Sequence, residues 1–222
     1  MKIVFDFGGV LFRWHPPSFL ARVWPHRVAD EAQGAAVAKV FFQQYSGDWG
    51  AFDQGLIDMD ETVRRIAART GWSEREVRQV AQAVPEELVL REDTVALIKE
   101  LRAAGHRLFY LSNMPEPYAD HLERSFPLRE WFEAGVFSGR VKQSKPGAAV
   151  FELAAARFDA RPQELVFLDD HPANIEAARA LGWGAVLFSD AAAAREALRA
   201  LLEPGQCSGA SSPMTGGVAS TA

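Results

Sequence analysis

The sequence predicts an α/β chain: a doubly wound parallel sheet with an α-helical cap inserted after its first strand. Three observations carry that expectation. Ile3-Val4-Phe5 is a short apolar run of the kind a buried parallel strand needs, and it ends at Asp6, with Gly8 and Gly9 close behind. Between Pro16 and about Val84 the apolar spacing is helical and no strand is expected. From Arg91 onward short apolar runs alternate with helical stretches, which implies crossover connections and parallel strands.

Each element has a local reason. Pro17-Ser18-Phe19-Leu20 opens a helix, and Ala35 to Tyr45 suits a second. Asp58 to Arg69 places Met59, Val63, Ile66 and Ala67 at helical spacing, and Gly71 suits a left-handed cap. Ser73 with Glu76 is a capping box for a helix over Glu74 to Ala83, which Pro85 is expected to close. The alternating part then reads as a helix from Arg91 to Ala104, a strand from Arg107 to Leu111 and a helix from Pro117 to Phe126. A strand over Ala134 to Phe137, a helix over Gly147 to Phe158 and a strand over Glu164 to Leu168 follow. A helix over Ala173 to Leu181, a strand over Ala185 to Phe188 and a helix over Ala191 to Leu202 complete it. Residues 1–13 and 86–203 are thus expected to form the core and 14–85 the cap. Residues 204–222, rich in Gly, Ser, Thr and Ala without periodicity, are expected to be a disordered tail.

Composition narrows the function classes. A chain of 222 residues, 48% hydrophobic, can bury a full core without staples. Its single cysteine, Cys207, excludes an intramolecular disulfide and fits a reducing compartment. No apolar stretch approaches a bilayer span and no cleavage signal follows the first residues, so a cytoplasmic location is expected. The net charge of −5 and the lack of a dense Lys/Arg run argue against nucleic acid or an anionic membrane as partner. A small substrate, taken by a monomer or homodimer, is expected instead.

The polar residues gather where strands should end. Asp6 ends the first strand; Ser112-Asn113 follow Phe109-Tyr110-Leu111; Asp169-Asp170 follow Val166-Phe167-Leu168, with Asn174 on the first turn of the next helix. Lys145, one of only five lysines, precedes Pro146 between these strand ends. Singly, each suits a helix cap or a solvated surface. Together they form the set that phosphoryl transfer needs: an acid as nucleophile, hydroxyl and amide donors, a fixed cation, and carboxylates for a metal. Asp6, Asp169, Asp170 and a phosphate monoester bring far more negative charge than Lys145 neutralises, which calls for Mg²⁺.

These residues resemble the four motifs of the haloacid dehalogenase (HAD) superfamily, in order: Asp6-Phe7-Gly8-Gly9-Val10-Leu11, Leu111-Ser112-Asn113, Lys145-Pro146 and Phe167-Leu168-Asp169-Asp170 with Asn174. The helical block resembles the cap of the first subfamily, on a Rossmann-like core. The resemblance implies that Asp6 attacks phosphorus to form an aspartyl-phosphate and that Ser112, Asn113 and Lys145 hold the transferred group. It also implies that Asp6, the Gly8 carbonyl and Asp170 bind Mg²⁺, with Asp169 behind the metal or paired with Lys145 and Asn174 in support. Which of the two adjacent aspartates touches the metal stays open.

One position departs from the pattern. Most phosphatases resembling this chain carry a second aspartate two residues after the nucleophile, where Gly8 stands. Its proton transfer is worth about 10² to 10⁴ in rate. A branch resembling bacterial glucose-1-phosphate phosphatases shares the glycine, so an activated leaving group, a sugar phosphate above all, is favoured. His15 at the cap junction and His171 after the acidic pair are candidates to supply a proton, though each suits an exposed or packing histidine as well. Dehalogenation of a 2-haloacid by the same aspartate needs no proton and is the first alternative; the acidic pair at 169–170 speaks against it. A phosphonate hydrolase would need a cap lysine, and Lys39 is the only candidate. A non-catalytic phospholigand-binding protein is the last alternative. Arg13, Trp14, Trp49 and Phe52 are expected to set specificity from the cap side.

Overall fold

The computed structural model describes residues 1–202; the expected tail at 204–222, with Cys207, lies outside the described residues. Five strands form one sheet: β1 (Lys2–Phe5), β2 (Arg107–Ser112), β3 (Ala134–Phe137), β4 (Leu165–Asp169) and β5 (Gly184–Leu187). All pair in parallel, in the order β3-β2-β1-β4-β5. The chain winds outward from β1 through β2 to β3, then returns to β4 on the other side of β1. Strand order therefore reverses beside β1, and open sheets of this kind bind ligands at the carboxyl ends of the strands at such a point.

Helices α1 (Pro16–Val23), α2 (Glu31–Phe42), α3 (Gly47–Asp53), α4 (Met59–Thr70), α5 (Glu74–Glu87) and α6 (Glu92–Ala103) run between β1 and β2. Helices α7 (Glu116–Ser125), α8 (Leu128–Trp131), α9 (Ser138–Val141), α10 (Ala148–Arg157), α11 (Pro172–Ala180) and α12 (Ala191–Leu202) accompany the remaining strands. Alternate residues of each strand feed opposite faces of the sheet. Val4, Phe109, Leu111, Phe167 and Ala185 meet Phe151, Phe158 and Trp183 on one face. Ile3, Phe5, Leu108, Tyr110, Val166 and Leu168 face the other, in an apolar cluster that continues into Phe19, Trp24, Phe41 and Trp49 of the helical insertion. No helix of the described residues is long and apolar enough to cross a membrane.

Most expected elements stand within a few residues of their expected bounds, and three departures have clear causes. Helix α2 begins at Glu31 rather than Ala35 because Asp30 caps it, accepting from the Gln33 N–H at 2.8 Å. Helix α5 passes through Pro85 to Glu87 instead of closing before it. Proline at 85 cannot donate to the Ala81 carbonyl, but the Tyr118 hydroxyl donates to that oxygen at 2.6 Å, so the missing bond is replaced. Helix α3 was not expected, since Gly47 and Gly50 weaken the helical signal.

Helices α1 and α2 meet at Gly34, where a Cβ would overlap the Pro17 carbonyl. Helix propensity alone favours alanine there by about 1 kcal/mol. Urea unfolding of Gly34→Ala should nevertheless show a loss of about 1–3 kcal/mol, because the two backbones must separate; a gain would show that the helices do not touch at this point.

Candidate active site

The carboxyl ends of β1, β2 and β4 bring the motif residues into one cavity. Asp6 follows β1 directly, and its N–H donates to the Leu168 carbonyl at 2.9 Å, which extends the ladder onto β4. Ser112 ends β2 and Asp169 ends β4, both buried. Lys145 is 4% exposed, and its ammonium lies 2.9 Å from Asp6 Oδ1 and 2.6 Å from Asp169 Oδ2. Asp6, Gly8, Trp14, Ser112, Asn113, Lys145, Asp170, His171 and Asn174 all line this cavity.

Each group has a defined holder. Asn113 takes no free position: its amide donates to the Lys145 carbonyl and accepts from the Lys145 N–H, both at 2.9 Å, so it clamps the lysine backbone. Asp169 accepts from Lys145 at 2.6 Å, from the His171 N–H at 2.7 Å and from Asn174 at 3.0 Å. The loop after Asp6 turns back at Gly9, which adopts φ +77 and whose missing side chain leaves room for the Asp170 carboxylate. Thr94, in the first turn of α6, donates to the Val10 carbonyl at 2.8 Å and fixes that loop from below.

Charge is poorly balanced here. Carboxylate oxygens of Asp6, Asp169 and Asp170 lie within 4.8 Å of one another. Burial pushes the Asp6 carboxyl up to about 7, Asp169 and Asp170 add to the rise, and Lys145 offsets only part of it. Asp170 is raised as well, by burial and by Asp169. Burial pulls the Lys145 ammonium down, but Asp169 and Asp6 outweigh it and hold the group above the usual lysine range.

Residues that the sequence reading did not single out cover the cavity: Tyr45, Asp53, Val84, Leu88, Met114 and Tyr118. Three consecutive non-glycine residues, Gln43, Gln44 and Tyr45, have positive φ, a conformation that costs on the order of 1 kcal/mol or more each. The Trp14 indole N–H donates to the Tyr45 hydroxyl at 2.7 Å. Asp53 carried a legible signal: with Trp49 and Phe52 it completes the i, i+3, i+4 stripe of a short helix, where an apolar residue belongs.

The remaining residues raised by the sequence lie around this cavity. Arg13 is exposed and lines a neighbouring groove that shares Trp14 and Asp170 with the Asp6 cavity. His15 caps α1, with Nδ1 2.8 Å from the Ser18 hydroxyl, and stands in that same groove. Phe52 packs edge-on against Trp49 and Tyr118 rather than lining the cavity, and Lys39 is exposed on α2. Trp14 and Trp49 do line it, and His171 is exposed at its rim.

The parallel sheet thus carries a buried aspartate–lysine–aspartate cluster at the point where its strand order reverses, the place where open sheets of this class bind ligands. Residues 3–182 match the haloacid dehalogenase-like hydrolases, and the chain belongs to that family. It is 25% identical over 202 residues to the sesquiterpene phosphatase astK of Aspergillus oryzae, covering 90% of this chain and 95% of that one. A HAD-like family hydrolase from Porphyromonas gingivalis shares the fold with a TM-score of 0.70 at 26% identity, covering 92% of this chain and 98% of that one. The HAD family enzyme bt-2542 from Bacteroides thetaiotaomicron, in complex with magnesium and inorganic phosphate, has a TM-score of 0.67 at 21% identity, covering 85% and 94%. Haloacid dehalogenases share the fold too.

The raised Asp6 carboxyl has a consequence for stability. Its folded value of about 7 exceeds its ordinary 3.8, so the stability it contributes is present below about 3.8 and lost as pH rises through about 7. Without metal, Asp6→Asn should therefore melt at least about 2 °C above the wild type at pH 8, with a smaller gap at pH 5. A variant melting below the wild type at pH 8 would show that the Lys145 pair outweighs burial.

Proposed function

We propose that the chain is a Mg²⁺-dependent phosphatase that hydrolyses a small phosphomonoester through an aspartyl-phosphate on Asp6. The observation that carries this reading is the Asp6 carboxylate held 2.9 Å from the buried Lys145, both lining one cavity with Ser112 and Asp170. Lys145 orients Asp6 and offers charge to the phosphoryl oxygens, and Ser112 adds a hydroxyl donor beside them. Residues 14–85 act as the cap that covers the reacting group and excludes water.

The residues present fit a hard divalent cation. Three carboxylates within 4.8 Å face one lysine, and burial, with the neighbouring carboxylates adding to it, raises both Asp6 and Asp170, which a cation would offset. Asp6, Asp170 and the Gly8 carbonyl would hold Mg²⁺. Asp169 has both oxygens engaged by Lys145, the His171 N–H and Asn174, which supports a positioning role and leaves Asp170 as the direct ligand. The metal would neutralise charge on the phosphoryl group and on the attacking carboxylate.

The cavity walls support an apolar organic group. Trp14, Tyr45, Trp49, Val84, Leu88, Met114 and Tyr118 offer rings and aliphatic surface, with few donors for the hydroxyls of a sugar. The sequence favoured a sugar phosphate on the strength of Gly8; these walls favour a prenyl, alkyl or aryl ester. Likeness to a sesquiterpene phosphatase over nearly the full length of both chains points the same way.

Phosphate release from prenyl, alkyl and sugar monophosphates should be chelator-sensitive, absent in Asp6→Asn, and at least about tenfold faster in kcat/KM for the apolar esters. A preference for sugar phosphates would return the substrate to the sequence expectation. Metal-free halide release from a 2-haloacid would make the chain a dehalogenase, and phosphate binding without turnover would make it a binding protein.

A further inference from the structure

We propose that Asp53, on the last turn of α3, is the general acid of this hydrolysis, protonating the leaving oxygen in place of the aspartate missing at position 8. The proposal rests on the phosphatase reading above. Asp53 is 6% exposed and lines the same cavity as Asp6, Lys145 and Ser112.

Its place is fixed rather than incidental. The Ser138 hydroxyl donates to the Asp53 carbonyl at 2.5 Å and accepts from the Met114 N–H at 2.8 Å, which ties the end of α3 to the loop after Ser112. Next to it, Gln54 donates to the Lys142 carbonyl at 2.7 Å and Lys142 donates to the Gly55 carbonyl at 2.6 Å. The inserted helices are thus fastened to the sheet side at the residue that carries the carboxyl group.

Its surroundings keep the proton on. Burial raises the Asp53 carboxyl well above the ordinary range, the charge on Asp6 adds to the rise, and a hydrogen bond from Trp49 on the same helix opposes it. The C-terminal end of a helix also disfavours negative charge. The other titratable groups facing it, Tyr45 and Tyr118, are raised by burial and stay neutral. The cations on neighbouring elements are engaged elsewhere: Lys142 on the Gly55 and Gly139 carbonyls, Arg69 on Asp48. Among the described residues no basic side chain forms an ion pair with Asp53. A buried, unpaired acid weakens a fold, so its presence in an apolar stripe asks for a chemical role.

Space does not explain Gly8. A Cβ there would come no closer than 3.8 Å to Trp14, and its φ is ordinary. In the step proposed, Asp6 bonds to phosphorus, the ester P–O bond breaks, and the Asp53 proton passes to the departing alkoxide. The resulting Asp53 carboxylate then takes a proton from the water that attacks the aspartyl-phosphate, which frees inorganic phosphate and restores both acids.

The test compares Asp53→Asn with wild type on an alkyl phosphate and on 4-nitrophenyl phosphate, whose leaving group needs no proton. It is read in kcat/KM, which covers only the steps up to phosphorylation of Asp6. We expect a loss of about 10² to 10⁴ on the alkyl ester and less than about tenfold on the aryl ester. Equal losses on both, or none on the alkyl ester, overturn the proposal while leaving the phosphatase reading intact. Wild-type protein inactive on both esters removes that reading and the proposal with it. Independently of any variant, a steep fall of wild-type kcat/KM with rising leaving-group pKa overturns it, because an acid in place flattens that dependence.

Discussion

The site depends on one buried cation. Lys145 sits between Asp6 and Asp169, at 2.9 and 2.6 Å, with almost no contact with water. A buried ammonium is tolerable only when paired, and two buried carboxylates in the same place are tolerable only with a cation between them. The three groups come from different elements: the end of β1, the end of β4 and the loop before α10. Parallel pairing of β1 with β4 sets the spacing of the two acids, and the Asn113 clamp sets the lysine. Removing the lysine leaves two buried carboxylates unmatched, so the electrostatics of the site and the order of the strands enforce each other.

Much of this was legible in the sequence for a physical reason. Strands at the centre of a parallel sheet are buried on both faces, so they appear as short apolar runs, and a polar residue at the end of such a run must point out of the sheet edge. Asp6, Ser112 and Asp169 announce themselves that way, and their strands run within a residue or two of the expected bounds. The helical insertion was legible as a block but less so in detail. Asp30 as a cap, α3 behind its two glycines and Pro85 inside α5 all depend on contacts that local propensity does not encode. The Tyr118 hydroxyl that satisfies Ala81 comes from another part of the chain altogether.

The same limit explains which residues around the cavity the sequence did not single out. Arg13 and His15 stand close in sequence to the nucleophile loop, but that loop turns back sharply at Gly9 and sends them to the neighbouring groove. Tyr45 and Asp53 stand far from it in sequence, yet the left-handed turn at residues 43–45 and the seam at Ser138 carry them over the cavity. Proximity along the chain predicts the floor of such a site, where successive strand ends lie side by side. It predicts the roof poorly, because the roof is positioned by tertiary contacts.

That division of labour bears on how the chain would choose its substrate. The floor is polar, charged and fixed by the sheet, so it suits one transferred group and little else. The roof is aromatic and aliphatic, and it is joined to the floor through Ser138, Tyr118 and a shared apolar cluster rather than through a polar seam alone. If Asp53 is the acid, as proposed, it is carried on the roof, and an ester whose organic group fills the apolar chamber would meet the proton donor directly. An ester too short or too polar to seat there leaves its oxygen solvated and away from Asp53. Recognition of the alcohol and help to its departure then become one event, a form of differential binding that acts at the transition state rather than on the ground-state complex.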